Sequence, residues 1–221
     1  MPSSLRAHFG KQLAQLDEDV LQLGSLARTA VARALDALTS GDMDLSREVV
    51  AADASINRLR FDVEAECYGL LATEQPVARD LRTIVSALTV SNDLERIGDH
   101  GKKIAGTHLR MFQSPMSMSL CDLPRLGQMA LTMLDRGLHA YATHDRAEAD
   151  AVCKADDQVD ALYKQTFNVI LSYMLENPRL IGFGTYLLQI AHEIERVADR
   201  ATNIAERVIY SATGELVDLN V

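Results

Sequence analysis

Cysteine is sparse: Cys67, Cys121 and Cys153 are far apart, with no CxxC pair and no even number to build a disulfide framework. They read as reduced thiols in a cytoplasmic protein. Proline (5), glycine (12) and aromatic residues (5%) are also scarce. A β-sandwich or barrel needs many turns and aromatic or β-branched strands, so this Ala- and Leu-rich chain favours long helices. Long apolar runs are missing as well. The longest stretch without Asp, Glu, Lys or Arg is Leu180 to His192, 13 residues, where a spanning helix needs about 20. Met1-Pro2-Ser3-Ser4-Leu5-Arg6 lacks the charged start and apolar run of a secretory leader. Any membrane role is therefore expected to be peripheral. Positive charge is short too: 22 Lys and Arg face 31 Asp and Glu, a net charge of −9. That balance speaks against direct nucleic-acid binding, which needs a basic surface to displace counterions.

What the chain has is length and helical period. Its 221 residues, 48% hydrophobic, allow one large domain or two small ones. Turn signals are few: Thr39-Ser40-Gly41-Asp42, Thr73-Glu74-Gln75-Pro76, Ser114-Pro115-Met116-Ser117-Met118-Ser119 before Pro124, Thr143-His144-Asp145, and Glu176-Asn177-Pro178. They divide the chain into six helical segments; thirty residues of helix make a rod of about 45 Å. Apolar residues recur at three- and four-residue steps: Val49, Ala52, Ile56, Leu59, Val63 and Leu70 in the second segment, Val90, Leu94, Ile97, Gly101 and Ile104 in the third, and Ile190, Ile194, Val197, Ala201, Ile204 and Val208 in the sixth. Such stripes bury against partner helices. Asp42 and Asp145 stand at N-cap positions.

The chain also repeats itself. Asp42, Ala52-Asp53 and Leu59 return as Asp145, Ala155-Asp156 and Leu162, at an offset of 103. Leu94-Glu95-Arg96-Ile97-Gly98-Asp99 returns as Ile194-Glu195-Arg196-Val197-Ala198-Asp199, at an offset of 100. The three-residue loss is expected in the second loop of the later copy, where length is cheap to change. The fold class is thus all-α, two tandem three-helix bundles over residues 1–112 and 113–221, packed side by side.

Glu95 and Asp99 are four apart, as are Glu195 and Asp199. On a helix both members of each pair share one face, and like charges so placed cost roughly 0.2–0.5 kcal/mol per pair. The preceding helix adds Asp156 and Asp160 in the second copy, and Asp53 and Asn57 in the first. Antiparallel neighbours bring these side chains towards one patch. Carboxylates ligate hard or borderline cations, and a divalent ion would cancel the repulsion. A merely solvated acidic face, paired with Arg96 or Arg196, is the competing reading.

The segments Ser91-Asn92-Asp93-Leu94-Glu95-Arg96-Ile97-Gly98-Asp99 and His192 to Ile204, with Gln75-Pro76-Val77-Ala78-Arg79-Asp80-Leu81-Arg82, resemble the PhoU family of phosphate-uptake regulators over nearly the whole chain. The resemblance implies two similar three-helix bundles and a non-enzymatic negative regulator of phosphate uptake and the phosphate-starvation response. It implies as partners the ATPase of the phosphate ABC transporter and a sensor histidine kinase, with a homodimer as the working form. It also implies multinuclear iron or zinc bound through Glu95, Asp99, Asp156, Asp160, Glu195 and Asp199, with Asp53 as a further candidate; magnesium and manganese are the other ions that suit the donors. Asn57 and Lys103 depart from a full acidic set, so the second repeat is the stronger candidate. Two other classes stay open: a metal-dependent enzyme built on the clustered acids, and a metal-free helical scaffold.

Other features carry less. His100 and His192 lie near the acids, and each is expected to face solvent. No Glu-x-x-His step follows the acids, because residues 98 and 198 are Gly98 and Ala198, so a ferritin-like di-iron centre is disfavoured. There is no GxxxxGK[ST], GxSxG or post-strand GxGxxG loop. Met111, Phe112, Met116 and Met118 suit either an adaptable interface or a hinge that packs down. Gly98, Gly101 and Gly106 are expected to permit close helix approach, and Leu180-Ile181-Gly182-Phe183-Gly184 to bend the start of the sixth helix.

Overall fold

In the computed structural model, residues 2–111 and 117–215 are described. They form six helices: α1 (Pro2–Ser40), α2 (Met43–Glu74), α3 (Arg79–Met111), α4 (Leu123–Thr143), α5 (Arg146–Glu176) and α6 (Ile181–Thr213). No strand occurs among the described residues. Asp42 caps α2 by accepting from the backbone N–H of Asp44 and Leu45. Asp145 caps α5 in the same way, accepting from Ala147 and Glu148. Each cap satisfies backbone donors that a helix start otherwise leaves unpaired. Gly41, at φ 72°, makes the left-handed turn between α1 and α2.

The predicted stripes point inwards. Every named apolar position of α3 and α6 is buried; in α2, Leu59 is half-buried and Ala52 is exposed. The α2–α3 connector spans residues 75–78, whereas α5 is followed by Asn177 and one 3-10 turn, Pro178–Leu180, that runs directly into α6. Both connectors are four residues long, so the three-residue loss is not a shorter loop as expected: α5 is one residue shorter than α2, and α6 reaches its acid pair two residues sooner than α3 does. The expected bend at Leu180 to Gly184 is absent. α6 is helical from Ile181, because Asn177 accepts from the Arg179 N–H and the 3-10 turn starts the helix. Gly184 instead lets α6 close on the Met174 side chain of α5. Of the methionine cluster, Phe112 and Met116 lie outside the described residues. Met111 is buried and Met118 packs against the core, which fits a junction that packs down.

The helices α1–α3 and α4–α6 form two bundles, but their apolar residues form one continuous core. α3 lies against α6 and α1 against α4. Both pairs are antiparallel: Asp93 meets Arg200 while His100 meets Glu193, and Gly24 meets Leu138 while Leu35 meets Gly127. Fully buried Leu16, Leu23, Ile84, Leu94, Ile97, Leu126, Leu134 and Leu187 anchor this core, each worth about 1.5–3 kcal/mol on burial.

The three α3 glycines separate by environment. A Cβ on Gly101 would lie 2.9 Å from the backbone N of Val31 and 3.0 Å from the Ala30 carbonyl carbon, so α1 and α3 cross there backbone to backbone. One on Gly98 would press on the movable end of Ile56. Gly106 has nothing within 4 Å, so close approach does not explain it. Gly101→Ala is expected to lose about 3 kcal/mol in chemical denaturation, since backbone cannot step aside as a side chain can. Gly106→Ala is expected to gain up to about 1 kcal/mol, the helix-propensity difference.

Candidate functional site

The acids named from the sequence fall into two patches, one on each repeat. Glu95 and Asp99 on α3, and Glu195 and Asp199 on α6, are half-buried on the face turned to the preceding helix of their own bundle. In the second repeat, α5 sets Asp156 and Asp160 against that face. Burial raises the Asp156 pKa to about 6, helped by the charges of Asp199 and Asp160. Burial raises Glu195 to about 7, with Asp199, Asp160 and Asp156 adding repulsion and Arg196 opposing it. Asp199 is raised by burial as well, against the pull of Arg196. The four carboxylates thus form one coupled cluster.

Its internal partners are few. Arg196 bonds Asp199 at 3.0 Å and Lys164 bonds Asp160 at 3.0 Å. His192, exposed as expected, approaches Glu195 at 3.5 Å. Thr202, whose hydroxyl donates to the Ala198 carbonyl at 3.3 Å, lies close enough to Asp156 to oppose the rise in its pKa. Two buried oxygens, Asp156 Oδ1 and Glu195 Oε2, accept no hydrogen bond from the described residues, the latter being the atom that His192 Nδ1 approaches. An all-oxygen donor set with orphaned oxygens suits a hard cation. As the side chains stand, however, no three His, Cys, Asp or Glu among the described residues are gathered closely enough to hold an ion.

The first repeat is built differently. Asp53 is buried, and its Oδ2 accepts from Lys102 Nζ at 2.8 Å and from Asn57 Nδ2 at 3.0 Å. Lys103 pairs with Asp99 at 3.0 Å, and Arg96 lies 3.8 Å from Glu95. The Lys102 pKa is raised by its bond to Asp53, then by the charges of Asp53, Asp99 and Glu95. Lys102 was not singled out from the sequence. Aligning the copies at an offset of 100 exposes it, because Thr202 is its counterpart.

The seam between the patches was missed as well. Asp93, buried on α3, receives Arg200 Nη1 at 3.0 Å and Asn203 Nδ2 at 3.4 Å from α6. The counterpart of Asp93 is Glu193, which bonds His100 Nδ1 at 2.5 Å and has Lys103 at 3.9 Å. His100 is therefore buried, contrary to the expectation that it faces solvent: the antiparallel packing of α6 covers it. Its bond to Glu193, with the charges of His100 and Lys103, outweighs the upward push of burial and holds the Glu193 pKa low. The repeated acid–base pairs, seven residues apart on each helix, were the available signal. Outside these patches, all three cysteines are free thiols. Burial pushes the Cys67 and Cys153 pKa values up to about 12, which keeps both from acting as thiolates.

Comparison with known proteins agrees with the repeat. A family model described as PhoU domain matches twice, at residues 20–107 and 123–208. A phosphate-specific transport system accessory protein PhoU homologue of Caulobacter vibrioides is 38% identical over 208 residues, covering 94% of this chain and 90% of the relative. One of Streptococcus pneumoniae is 35% identical over 216 residues, covering 98% and 100%. The crystal structure of the phosphate transport system regulatory protein PhoU from S. pneumoniae superposes with a TM-score of 0.88 at 34% identity, over 95% of this chain and 99% of that one. PhoU from Pseudomonas aeruginosa gives 0.90 at 33% identity, over 94% and 100%.

The second patch dictates a pH dependence. Folded Asp156 and Glu195 hold protons that the unfolded chain has released, so folding binds protons and stability falls as pH rises. The loss runs from about pH 4 to about pH 7, between the unfolded and folded values. In EDTA, the advantage of Glu195→Gln over wild type in chemical denaturation is expected to grow through that window and level off above it. A constant difference would contradict the coupled cluster.

Proposed function

Because this chain belongs to the PhoU family, we propose that it is a non-enzymatic negative regulator of phosphate uptake and of the phosphate-starvation response. It would work by touching the ATPase of the phosphate ABC transporter and the sensor histidine kinase, and would bias either partner by binding one of its conformations better than the other. The observation that carries this reading is kinship over nearly the full chain with accessory proteins of phosphate-specific transport. Exposed apolar side chains support action through contact: Phe167, Leu171 and Leu175 stand on successive turns of α5, and Phe61 and Tyr68 on α2. The same reading places the protein in the cytoplasm as a homodimer that reaches the membrane only through its partners. No described helix is long and apolar enough to cross a membrane.

The second repeat is the proposed metal centre, with Asp156, Asp160, Glu195 and Asp199 as the donors. A bound ion, iron or zinc by kinship, or magnesium or manganese by donor type, would neutralise the cluster and tie α5 to α6. The two orphaned oxygens and the raised pKa values support this. The metal-free scaffold keeps one observation on its side, the absence among the described residues of a ready-made ligand group.

Two measurements test these readings. Wild-type protein is expected to retain the transporter ATPase and the sensor kinase in pull-downs. Leu175→Asp is expected to weaken that capture at least tenfold without lowering Tm, since Leu175 is 75% exposed. Failure of the wild type to hold either partner rejects the regulatory reading. Elemental analysis of freshly purified protein is expected to show metal that Glu195→Gln/Asp199→Asn lacks; equal content in both rejects the second-repeat centre.

A further inference from the structure

The two repeats have the same scaffold and different charges at equivalent positions. Asp53, Glu95 and Asp99 of the first repeat correspond to Asp156, Glu195 and Asp199 of the second. Where the second has Asp160, Thr202 and Asn203, the first has Asn57, Lys102 and Lys103. The geometry points to Lys102 as a counter-ion supplied by the chain itself: its ammonium serves the first acidic patch as an external cation would serve the second, so the first repeat takes no metal while Lys102 is present. This rests on the metal reading of the second repeat only for the comparison, because the Lys102 contacts stand by themselves.

Lys102 Nζ sits 2.8 Å from Asp53 Oδ2. Asp53 is only 8% exposed, and its Oδ1 has no partner. A carboxylate so buried requires a positive neighbour, and Lys102 is the cation bonded to it. Asp99 and Glu95 also act on Lys102 through their charges, and Asp99 is neutralised separately by Lys103 at 3.0 Å. Three acids thus meet two ammonium groups and the guanidinium of Arg96, 3.8 Å from Glu95. In the second repeat four acids meet Lys164 and Arg196, with Arg200 and His192 adding weaker pulls on Asp199, and no cation among the described residues bonds Asp156. Burial does not seal the first patch: Asp99, Lys102 and Lys103 line an open cleft of about 420 Å³. What excludes a cation is the tethered charge. An incoming divalent ion would meet two ammonium groups at close range, and like charges a few ångströms apart at a partly screened protein surface repel strongly.

The distinguishing probe is Mn2+ alone, titrated calorimetrically into EDTA-stripped, re-buffered protein, with helix content checked by circular dichroism. Four proteins are compared: wild type, Glu195→Gln/Asp199→Asn, that double variant with Lys102→Thr, and that double variant with Lys102→Gln in case threonine disturbs the helix. The double variant is expected to bind no Mn2+. Adding either Lys102 substitution is expected to restore binding by at least tenfold over the double variant. In the stripped state these substitutions are expected to lower Tm, and Mn2+ to raise it again. Strong Mn2+ binding by the double variant with Lys102 intact overturns the inference. So does failure of both folded Lys102 variants to bind. If wild type binds none but the Lys102 variants do, the second-repeat centre is wrong and the role of Lys102 stands.

Discussion

The antiparallel seam between α3 and α6 sets the position of everything else. Across it Asp93 holds Arg200, and at the pseudo-equivalent place Glu193 holds His100. Asn203 and Lys103 repeat the pattern one turn further on. Ion pairs taken out of water roughly break even against apolar residues of the same size, so these contacts do not hold the halves together. The shared core does. The pairs fix register: sliding one helix by a turn, 5.4 Å, would bury Asp93 without a partner, a penalty of about 3–5 kcal/mol. Because the acidic patches lie on these same two helices, the register also fixes where they stand.

Duplication supplied two copies of one frame, and the copies diverged in charge rather than in shape. Both second helices start at an aspartate cap, and both third helices carry an acid pair one turn apart. In the first copy lysines neutralise the acids from within. In the second a threonine stands in the lysine's place, and the acids raise one another's pKa values. A change at residue 102 alters electrostatics without touching the apolar core, because its half-buried side chain reaches across to Asp53 on α2 while Ile97, Gly101 and Ile104 face inwards. The frame therefore tolerated two chemistries.

The same separation between a stiff interior and adjustable faces suits an adaptor. A partner of the kind proposed would meet long helices packed backbone to backbone, since α1 and α3 touch at Gly101 with no side chain between them. Apolar side chains on the outer turns of α5 and α2 are presented from fixed positions. Rigid presentation lowers the ordering cost of association, so even a modest contact area can favour one partner conformation.

The helices and most of their boundaries, the repeat and the pairing of acids on one helix face are legible in the amino-acid order, although the bend expected at the start of α6 is not there. These depend on local chemistry: capping aspartates, apolar period, and glycine or proline at breaks act on neighbours a few residues away. Position 102 was present in the alignment of the copies, yet its meaning depended on which side chain of α2 it meets. Tertiary structure alone decided that Lys102 reaches Asp53, that His100 is buried against Glu193, that Gly106 needs no close neighbour, and that two bundles share one core. Those outcomes follow from the antiparallel docking of α3 on α6 and of α2 on α3, which joins residues many turns apart, and no local spacing encodes a partner that far along the chain.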